Sequence, residues 1–421
     1  MIKNLIGFLQ IAALLLCVPA IAQVQYETAP PYNIKTVSFR ANNENAYPYF
    51  RLGDAFEITF DDLFANQANY YYSVTHCNYD WTPSQLLSIN DYIQGFDSQR
   101  IQNFENSFNT LQVYTHYTLS FPNKFTTLLL SGNYILKIMN EDREVVFSRR
   151  FIIYEDIVSV PLQVKRARGM DVIQEKHNLD FAIKTNAFLF QNPLQNVKVA
   201  LFQNGRFDNA IYNIKPQYTI GNDLIYRYDK ETQFWAGNEY WYFDNKDIRN
   251  AVNNVLRITA GEIYNNILYT NEARAEKQYT YYPDINGNFL VNNINLSVTN
   301  KLLESDYAWV FFSLDAPSFF NKQDIYIGGM FNNYAKTDEY KLEYNQNTGL
   351  YEKAVMIKQG FTNYLYFVTD KNGYTDGKNA IDGNFYQTEN DYNILVYYRE
   401  NNERYDRVIG IGAANSENII N

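Results

Sequence analysis

The side chains that could carry covalent or acid–base chemistry are few in this sequence. It contains three histidines, His76, His116 and His177, and beyond its N-terminal stretch a single cysteine, Cys77. His76 and Cys77 could form a nucleophile pair, but adjacent residues on a strand point to opposite faces of a sheet. The sequence has no phosphate loop, nucleophile elbow, zinc-protease motif or paired-cysteine motif. We therefore predict structural roles for these residues, no enzyme activity and no cofactor.

Two acidic motifs have oxygen-ligand spacing that could hold calcium, Asp61-Asp62 and Asp284-x-Asn286-x-Asn288. The second lacks the distal bidentate Glu of an EF-hand loop, and its Asn-Gly pair is typical of a hairpin turn. The first lies at the end of an expected strand. No pair among the 46 acidic residues stands out as the two carboxylates of a glycosidase. We predict that neither motif binds a metal.

Aromatic clusters are the remaining chemical signal. The candidate partner-contact residues within them are Tyr79, Trp81, Tyr92, Phe96, Trp235 and Trp241. Tyr and Trp are enriched at interface hot spots, which favours a contact surface. However, aromatics make up 17% of the chain, with 38 Tyr and 29 Phe, so most rings must lie in cores and cross-strand pairs. Each cluster therefore has two interpretations, and the core is favoured.

Length and composition predict the elements that position these side chains. A chain of 421 residues is typical of two to three domains. Abundant aromatics suit pleated surfaces, and abundant Asn suits turns with positive φ. We predict an all-β fold of tandem immunoglobulin-like or β-sandwich domains. The net charge of −10 argues against a nucleic-acid partner, which requires clustered Lys and Arg.

The N-terminal 22 residues have the pattern of a secretory signal peptide. Lys3 precedes an apolar run from Leu5 to Val18, and Ala20-Ile21-Ala22 forms a small-x-small cleavage site. A lipid-modified Cys17 is disfavoured because that residue lies inside the apolar run. No later stretch approaches the twenty or so apolar residues of a spanning helix. We expect export to the periplasm.

Period-two alternation divides the rest of the chain into three β segments, residues 23–155, 156–299 and 300–411, before a frayed tail at 412–421. The strands expected in the first segment are Ile34–Phe39, Ala55–Phe60, Tyr70–Cys77, Leu111–Phe121, Tyr134–Met139 and Val145–Tyr154. Residues 78–109 interrupt this pattern. So long a loop is uncommon in a compact domain and is often functional, although a decorated sandwich edge is the simpler interpretation.

The third segment has a recognisable order of motifs. A run from Ile325 to Tyr334 is followed by Gly349-Leu350-Tyr351 and then by Gly360 to Tyr364. This order resembles the early-set immunoglobulin-like modules found beside starch- and glycogen-active enzymes, in which a Trp at the place of Tyr334 stacks on sugar. The resemblance implies an alternative function, a periplasmic carbohydrate-binding protein that would depend on Tyr334 or Tyr351.

Short strings spread over nearly the whole mature chain point to another family. They are Ser38-Phe39-Arg40, Arg51-Leu52-Gly53, His76 to Pro83, Tyr92 to Phe96, Asn103 to Thr110, Ser131 to Tyr134, Lys165-Arg166-Ala167, Gln203 to Asn209, Gly237-Asn238-Glu239, Tyr386 to Tyr392 and Arg404 to Arg407. In combination they resemble the plug protein family of the type IX secretion system of Bacteroidota. None of these strings is a catalytic motif.

The resemblance implies a periplasmic plug. Such a protein would bind the outer-membrane translocon barrel, of the SprA or Sov type, and seal its periplasmic opening while no cargo passes. It would be peripheral to the inner face of the outer membrane, with no obligate homo-oligomer. About 400 compact residues have a radius of gyration of roughly 21 Å, which suits a cap, and the 78–109 excursion could wedge into the opening. An outer-membrane β-barrel is a rival, but strands such as Leu290–Thr299 carry Asn on both faces.

Overall fold

The computed structural model describes residues 23–186, 188–295, 300–317, 323–370, 372–417 and 419. The predicted signal peptide, residues 1–22, lies outside these ranges. The described residues form many strands and only three short α-helices, α1 (Ile89–Tyr92), α2 (Pro193–Asn196) and α3 (Lys301–Glu304). None of the described helices has the length and apolar character needed to cross a membrane. The all-β prediction is confirmed.

The first unit is a β-sandwich. Its strands are β1 (Ile34–Ala41), β2 (Glu44–Asn45), β3 (Tyr49–Arg51), β4 (Phe56–Asp62), β5 (Tyr71–Cys77), β6 (Ile93–Gly95), β7 (Ser98–Arg100), β8 (Asn103–Asn106), β9 (Thr115–Phe121), β10 (Thr126–Leu128), β11 (Gly132–Met139) and β12 (Val145–Tyr154). One sheet has the order β2-β1-β4-β9-β8 and the other β3-β12-β11-β5-β7, while β6 and β10 form a separate ribbon. The six strands predicted in this part of the chain are all present, β12 with the predicted bounds and the other five with shifted ends.

Alternation along the strands explains the core of the first unit. Tyr134, Leu136 and Ile138 of β11 fall on one face and are fully buried between the two sheets. Aromatic rings fill much of this core, and the Phe50 and Phe56 rings stack with centroids 4.0 Å apart. Most rings of this unit therefore serve packing, as the composition predicts.

The 78–109 excursion is not an unstructured loop. Its strand β7 pairs with β5, its β8 pairs with β9, and its β6 pairs with β10. Ile93 and Ile101 lie in the core of the first unit. The simpler of the two interpretations, a decorated sandwich edge, describes most of this segment. Its alternation is weak because each strand has only three or four residues.

The rest of the chain forms a second unit interrupted by a third. Strands β13 to β19 are Leu162–Arg166, Lys176–Ile183, Val197–Gln203, Ile211–Tyr212, Tyr218–Ile220, Asp223–Tyr226 and Gln233–Trp235. Strands β20 to β29 are Trp241–Asp244, Val255–Thr259, Tyr264–Leu268, Asn271–Glu272, Phe289–Val291, Tyr307–Asp315, Ile325–Gly328, Glu343–Asn345, Leu350–Lys358 and Gly360–Val368. The last strands, β30 and β31, are Asp391–Tyr398 and Arg407–Asn415.

Strand pairing assigns β30 and β31 to the second unit. The second unit has two sheets. One has the strand order β13-β14-β18-β17, with β19 also paired with β14, and the other has the order β16-β15-β30-β31. The third unit also has two sheets. One has the strand order β20-β29-β24, with β26 also paired with β29. The other has the order β21-β22-β25-β28-β27, with β23 also paired with β25. The predicted division at 299–300 therefore does not follow the sheets. Side-chain periodicity identifies strands but not the strands with which they pair. It therefore cannot show that the third unit is inserted between paired strands of the second.

The predicted frayed tail is wrong over its first residues. Strand β31 continues to Asn415 in register with β30, and Asp391 is opposite Asn415. Ser416 is buried, and its hydroxyl donates a hydrogen bond to the Thr388 carbonyl at 2.8 Å. Small polar composition suggested fraying, but here these residues complete an edge strand.

Each sandwich also buries an outer face against a neighbour. Between the first and second units the buried apolar residues are Cys77, Tyr79, Trp81, Ile135 and Ile152 on one side and Ala200, Phe202, Leu395, Tyr397 and Val408 on the other. Between the first and third units they are Leu63 and Tyr114 against Tyr307 and Met356. The first unit is thus held by both of the others.

Candidate functional site

Three of the six candidate contact residues lie inside the protein. Tyr79 is at the interface of the first and second units, where its hydroxyl donates to the Val199 carbonyl at 2.8 Å and accepts from the Asn213 amide. Trp81 is 4% exposed, with the Arg150 guanidinium 4.4 Å from its ring. Tyr92 packs in the first core. Burial gives these three rings structural roles inside this chain.

The other three candidates are at least partly exposed. Trp235 is half-buried beneath the Lys176 ammonium, which lies 4.1 Å from its ring. Trp241 is also half-buried, and its indole N–H donates to Asp382 at 3.0 Å. Phe96 alone of the six is largely exposed, at 58%. Of the candidates, Phe96 remains the one that a partner could cover fully.

Phe96 belongs to a small apolar surface on the excursion and its neighbouring ribbon. We define the excursion patch as Leu86, Ile89, Phe96 and Leu129, all exposed. The Leu129 amide donates to the Tyr92 carbonyl at 2.9 Å, and the Phe96 amide donates to the Phe125 carbonyl at 2.8 Å. These bonds fix the backbone under the patch.

A second apolar surface was missed by sequence reasoning. We define the loop surface as Tyr32, Phe64, Phe108, Leu111 and Val113, each more than half exposed. Leu111 and Val113 alternate like a strand, which is why the sequence predicted one beginning at Leu111, but β9 begins only at Thr115. Groups of exposed large apolar residues often mark an interaction site. The alternation of Leu111 and Val113 was the available signal. Sequence alone does not show that these two residues lie outside a strand.

The third unit holds the loop surface in place. The Leu111 and Gln112 amides donate to the Asp306 carboxylate at 2.7 and 3.0 Å, and the Phe108 amide donates to the Leu303 carbonyl at 3.0 Å. The Gln112 side chain donates to the Leu63 carbonyl at 3.2 Å, beside Phe64. The loop therefore presents its apolar side chains from a fixed backbone.

The Asp61 carboxylate is occupied by side chains of this protein. It is fully buried and accepts from the Lys358 ammonium and from the Tyr307 hydroxyl, each at 2.6 Å, and contacts His116 Nδ1 at 2.6 Å. Burial by itself raises the pKa of Asp61, but the Lys358 and His116 charges outweigh it and lower the pKa below its ordinary value. This cluster ties the first unit to the third.

The second acidic motif forms a turn. The Asp284 carboxylate accepts from the Asn286 amide at 2.7 Å and from the Tyr240 amide at 2.5 Å. Asn286 and Gly287 both have positive φ, 52° and 82°, as a tight turn requires. Within the described ranges no group of three or more His, Cys, Asp or Glu residues has the geometry of a metal site.

His76 and Cys77 do not form a catalytic pair. The His76 ring contacts the Ser84 hydroxyl at 2.8 Å and the Ser131 carbonyl at 3.1 Å in the first unit. Cys77 faces the second unit, where burial raises the pKa of its thiol to about 12. Burial lowers the pKa of His76 to about 4. The opposite orientation expected from strand geometry is confirmed.

The residues on which carbohydrate binding would depend are covered. Tyr334 and Tyr351 are 7% and 5% exposed. The Arg206 guanidinium lies 4.2 Å from the Tyr334 ring, and the Tyr334 and Tyr240 hydroxyls are 2.9 Å apart. Sugar stacking needs an open ring face, so neither tyrosine supplies the platform that the early-set resemblance implied.

Two comparisons with known proteins found a match, and one of them names a family. The family model described as "Type 9 secretion system plug protein 1st domain" matches residues 34–155, from the start of β1 to the end of the first unit. A crystal structure of a hypothetical protein from Parabacteroides merdae ATCC 43184 is similar with a TM-score of 0.87 and 32% identity, over 93% of this chain and 100% of that one. No curated protein matches. The chain therefore belongs to the type 9 secretion system plug protein family, whose role lies in type IX secretion at the cell envelope.

Proposed function

We propose that this protein is a periplasmic plug that binds the outer-membrane translocon barrel of the type IX system and seals its periplasmic opening when no cargo passes. The observation that carries the proposal is the match of the whole first unit to the plug first-domain model. The protein acts by covering the opening and catalyses no reaction. It lies on the inner face of the outer membrane through the barrel.

A seal must resist deformation, and the interlocked units supply that property. The first unit is packed against the second through an apolar interface and against the third through a buried ionic cluster. Such interfaces are close-packed like a protein core and deform little. A cap built in this way keeps its shape when one side faces a channel, which supports sealing.

The loop surface is the face that binds the barrel in this proposal. Four of its five large apolar side chains belong to the matched residues 34–155, and the Leu111 amide is fixed by Asp306. Burying apolar side chains is the main favourable term in protein association. The excursion patch lies on the same unit and provides a second contact. The occupant of both is the translocon barrel.

Copurification from the native envelope tests this proposal. A tagged wild-type protein should recover a very large outer-membrane barrel under gentle detergent. The variant Phe108→Ser/Leu111→Ser should lose most of it, because each side chain contributes roughly 1.5–3 kcal/mol when buried and the pair then weakens binding by about 100-fold or more. The exposed positions leave the fold unchanged, which an unaltered unfolding midpoint would verify.

The second unit offers a matched control. Met170 and Leu189 are 88% and 76% exposed on a unit that the docking face does not include. Met170→Ser/Leu189→Ser should copurify with the barrel like the wild type. Recovery of no barrel by the wild-type protein contradicts the plug proposal itself. Equal recovery by the loop variant and the wild type contradicts the docking face, and Ile89→Ser/Phe96→Ser then tests the excursion patch alone.

A further inference from the structure

A crevice of about 270 Å³ lies where the three units meet. Its walls come from β1 and β12 of the first unit, from the turn after β15 of the second, and from the segment after β26 of the third. Its lining includes Phe39, Arg149, Arg206, Phe207, Phe289 and Met330. This crevice is separate from the loop surface and the excursion patch.

Arg149 is the unusual member of this crevice. It is 6% exposed, and within the described part of the chain its guanidinium has one hydrogen bond, from Nη1 to the neighbouring Ser148 carbonyl at 3.1 Å, and no carboxylate partner. A guanidinium has five N–H donors, and a buried charge is normally paired. Burial lowers the pKa of Arg149, although the nearby Glu27 charge opposes the shift. Besides that hydrogen bond, the guanidinium lies 5.7 Å from the centre of the Phe147 ring, so its N–H donors are left largely without acceptors among the described residues.

The other charges of the crevice are already engaged. Glu27 accepts from the Arg150 amide at 2.7 Å and from the Asn333 side chain at 2.8 Å. Arg206 makes a two-point contact with Asp208, at 2.9 and 2.7 Å. The Arg150 guanidinium donates to the Gln25 carbonyl at 3.0 Å. Arg149, Arg150 and Arg206 thus face two carboxylates, and neither Arg149 nor Arg150 forms an ion pair among the described residues, so the crevice carries one surplus positive charge. This local excess is notable in a chain with a net charge of −10.

Much of the remaining lining is apolar, although Ser38, Asn204 and Asn333 also line the crevice. Phe39, Phe207, Phe289 and Met330 contribute carbon surface to its walls. The planar fork of Arg matches the two oxygens of a carboxylate better than a point charge does. We propose that the crevice binds a carboxylate carried on an apolar group, with Arg149 as its ionic partner. A small aromatic acid and the C-terminal carboxylate of a peptide both have this chemistry.

Methionine methyl NMR on the full mature protein provides a local readout. The sequence has five methionines, Met1, Met139, Met170, Met330 and Met356. Met330 lines the crevice, and Met170 is 88% exposed on the second unit. Titration with 3-phenylpropionate or N-acetyl-Ala-Phe should shift the Met330 methyl signal saturably and leave Met170 in place. The C-terminal amide of the same peptide should bind at least about tenfold more weakly, because it lacks the charge that Arg149 pairs with.

Two arginine variants show whether the shift of the Met330 methyl signal depends on Arg149. Arg149→Met should remove the acid-induced shift of Met330, while Arg168→Met, an exposed arginine paired with Asp229, should leave it unchanged. Tighter binding of the peptide acid than of 3-phenylpropionate identifies a peptide C terminus as the ligand, and the reverse order identifies a small acid. The proposal is overturned if the amide shifts Met330 as strongly as the acids, if neither acid shifts it, or if folded Arg149→Met responds like the wild type. The acid–amide comparison uses only wild-type protein, so it stands even if the variant fails to fold.

Discussion

Replacing Lys358 by Met should expose how strongly the buried ionic cluster holds the first and third units together. The Lys358 side chain is 2% exposed and its ammonium donates to Asp61, which is fully buried, at 2.6 Å. It also donates to the Leu302 carbonyl at 2.6 Å. Met preserves most of the side-chain volume but removes the charge. Asp61 then keeps only the His116 and Tyr307 contacts in a site without water access.

The size of the effect follows from the burial of both partners. Removing one partner of a buried ion pair costs about 3–5 kcal/mol, because the remaining charge is left without compensation. Asp61→Asn should cost a similar amount for the same reason. The double variant Asp61→Asn/Lys358→Met removes both partners of the ion pair, so it should recover at least about 2 kcal/mol relative to the sum of the single variants.

The folded-state pKa of Asp61 is depressed, and this determines how its contribution to stability changes with pH. Its contribution to stability is complete above the unfolded-state pKa of 3.8 and is lost as the pH falls through the lower folded-state value. The difference in stability between wild type and the Asp61→Asn variant should therefore shrink as the pH falls into strong acid.

Urea unfolding monitored by tryptophan fluorescence measures these differences as shifts of the midpoint at constant slope. The exposed pair Lys277 and Glu272 provides the control, because Lys277→Met should cost less than about 1 kcal/mol. Two results would refute the reasoning. One is a cost below about 1 kcal/mol for Lys358→Met, and the other is a double variant whose loss equals the sum of the single losses, since independent sites add.

Two further predictions concern other buried groups. Burial raises the pKa of Glu239 to about 7 from 4.5, so the fold prefers the protonated form and wild-type stability falls as the pH rises through this range. Glu239→Gln should therefore unfold at a higher temperature than wild type at pH 8 but not at pH 4.5, and an equal difference at both pH values would contradict this. Cys77 is fully buried with its pKa raised to about 12, so Ellman's reagent should label it only on unfolding. Rapid labelling of the native protein would show that the interface between the first and second units opens.

Side-chain alternation predicted much of the first unit, and β11 shows why. Tyr134, Leu136 and Ile138 lie in its core as the period of two requires. Ile135 lies on the opposite face and is also buried, against the second unit. A nearly continuous apolar run is typical of a strand covered on both faces, so this sequence could have indicated a second covered face. It could not have identified which part of the chain covers it.

The elements that were mispredicted depend on contacts between distant residues. β15 pairs with β30, with Val199 opposite Val396, and no local pattern encodes that pairing. Leu111 alternates like a strand residue, yet its amide bonds to Asp306 of the third unit instead of to a neighbouring strand. The loop surface could not be predicted for the same reason. Its exposure depends on where a carboxylate almost two hundred residues away is placed.

The way the third unit is attached bears on how a plug of this kind would release. The chain leaves the second unit after Trp235 and returns before β30, and the two crossings are tied together where Asn390 donates to the Ala236 carbonyl at 2.9 Å. Asn204 donates to Asn390 at 2.8 Å, which adds β15 to the same junction. A unit held by two adjacent, hydrogen-bonded crossings cannot swing as it would on a single flexible linker. On the proposed function, opening the channel therefore requires the whole body to leave the barrel.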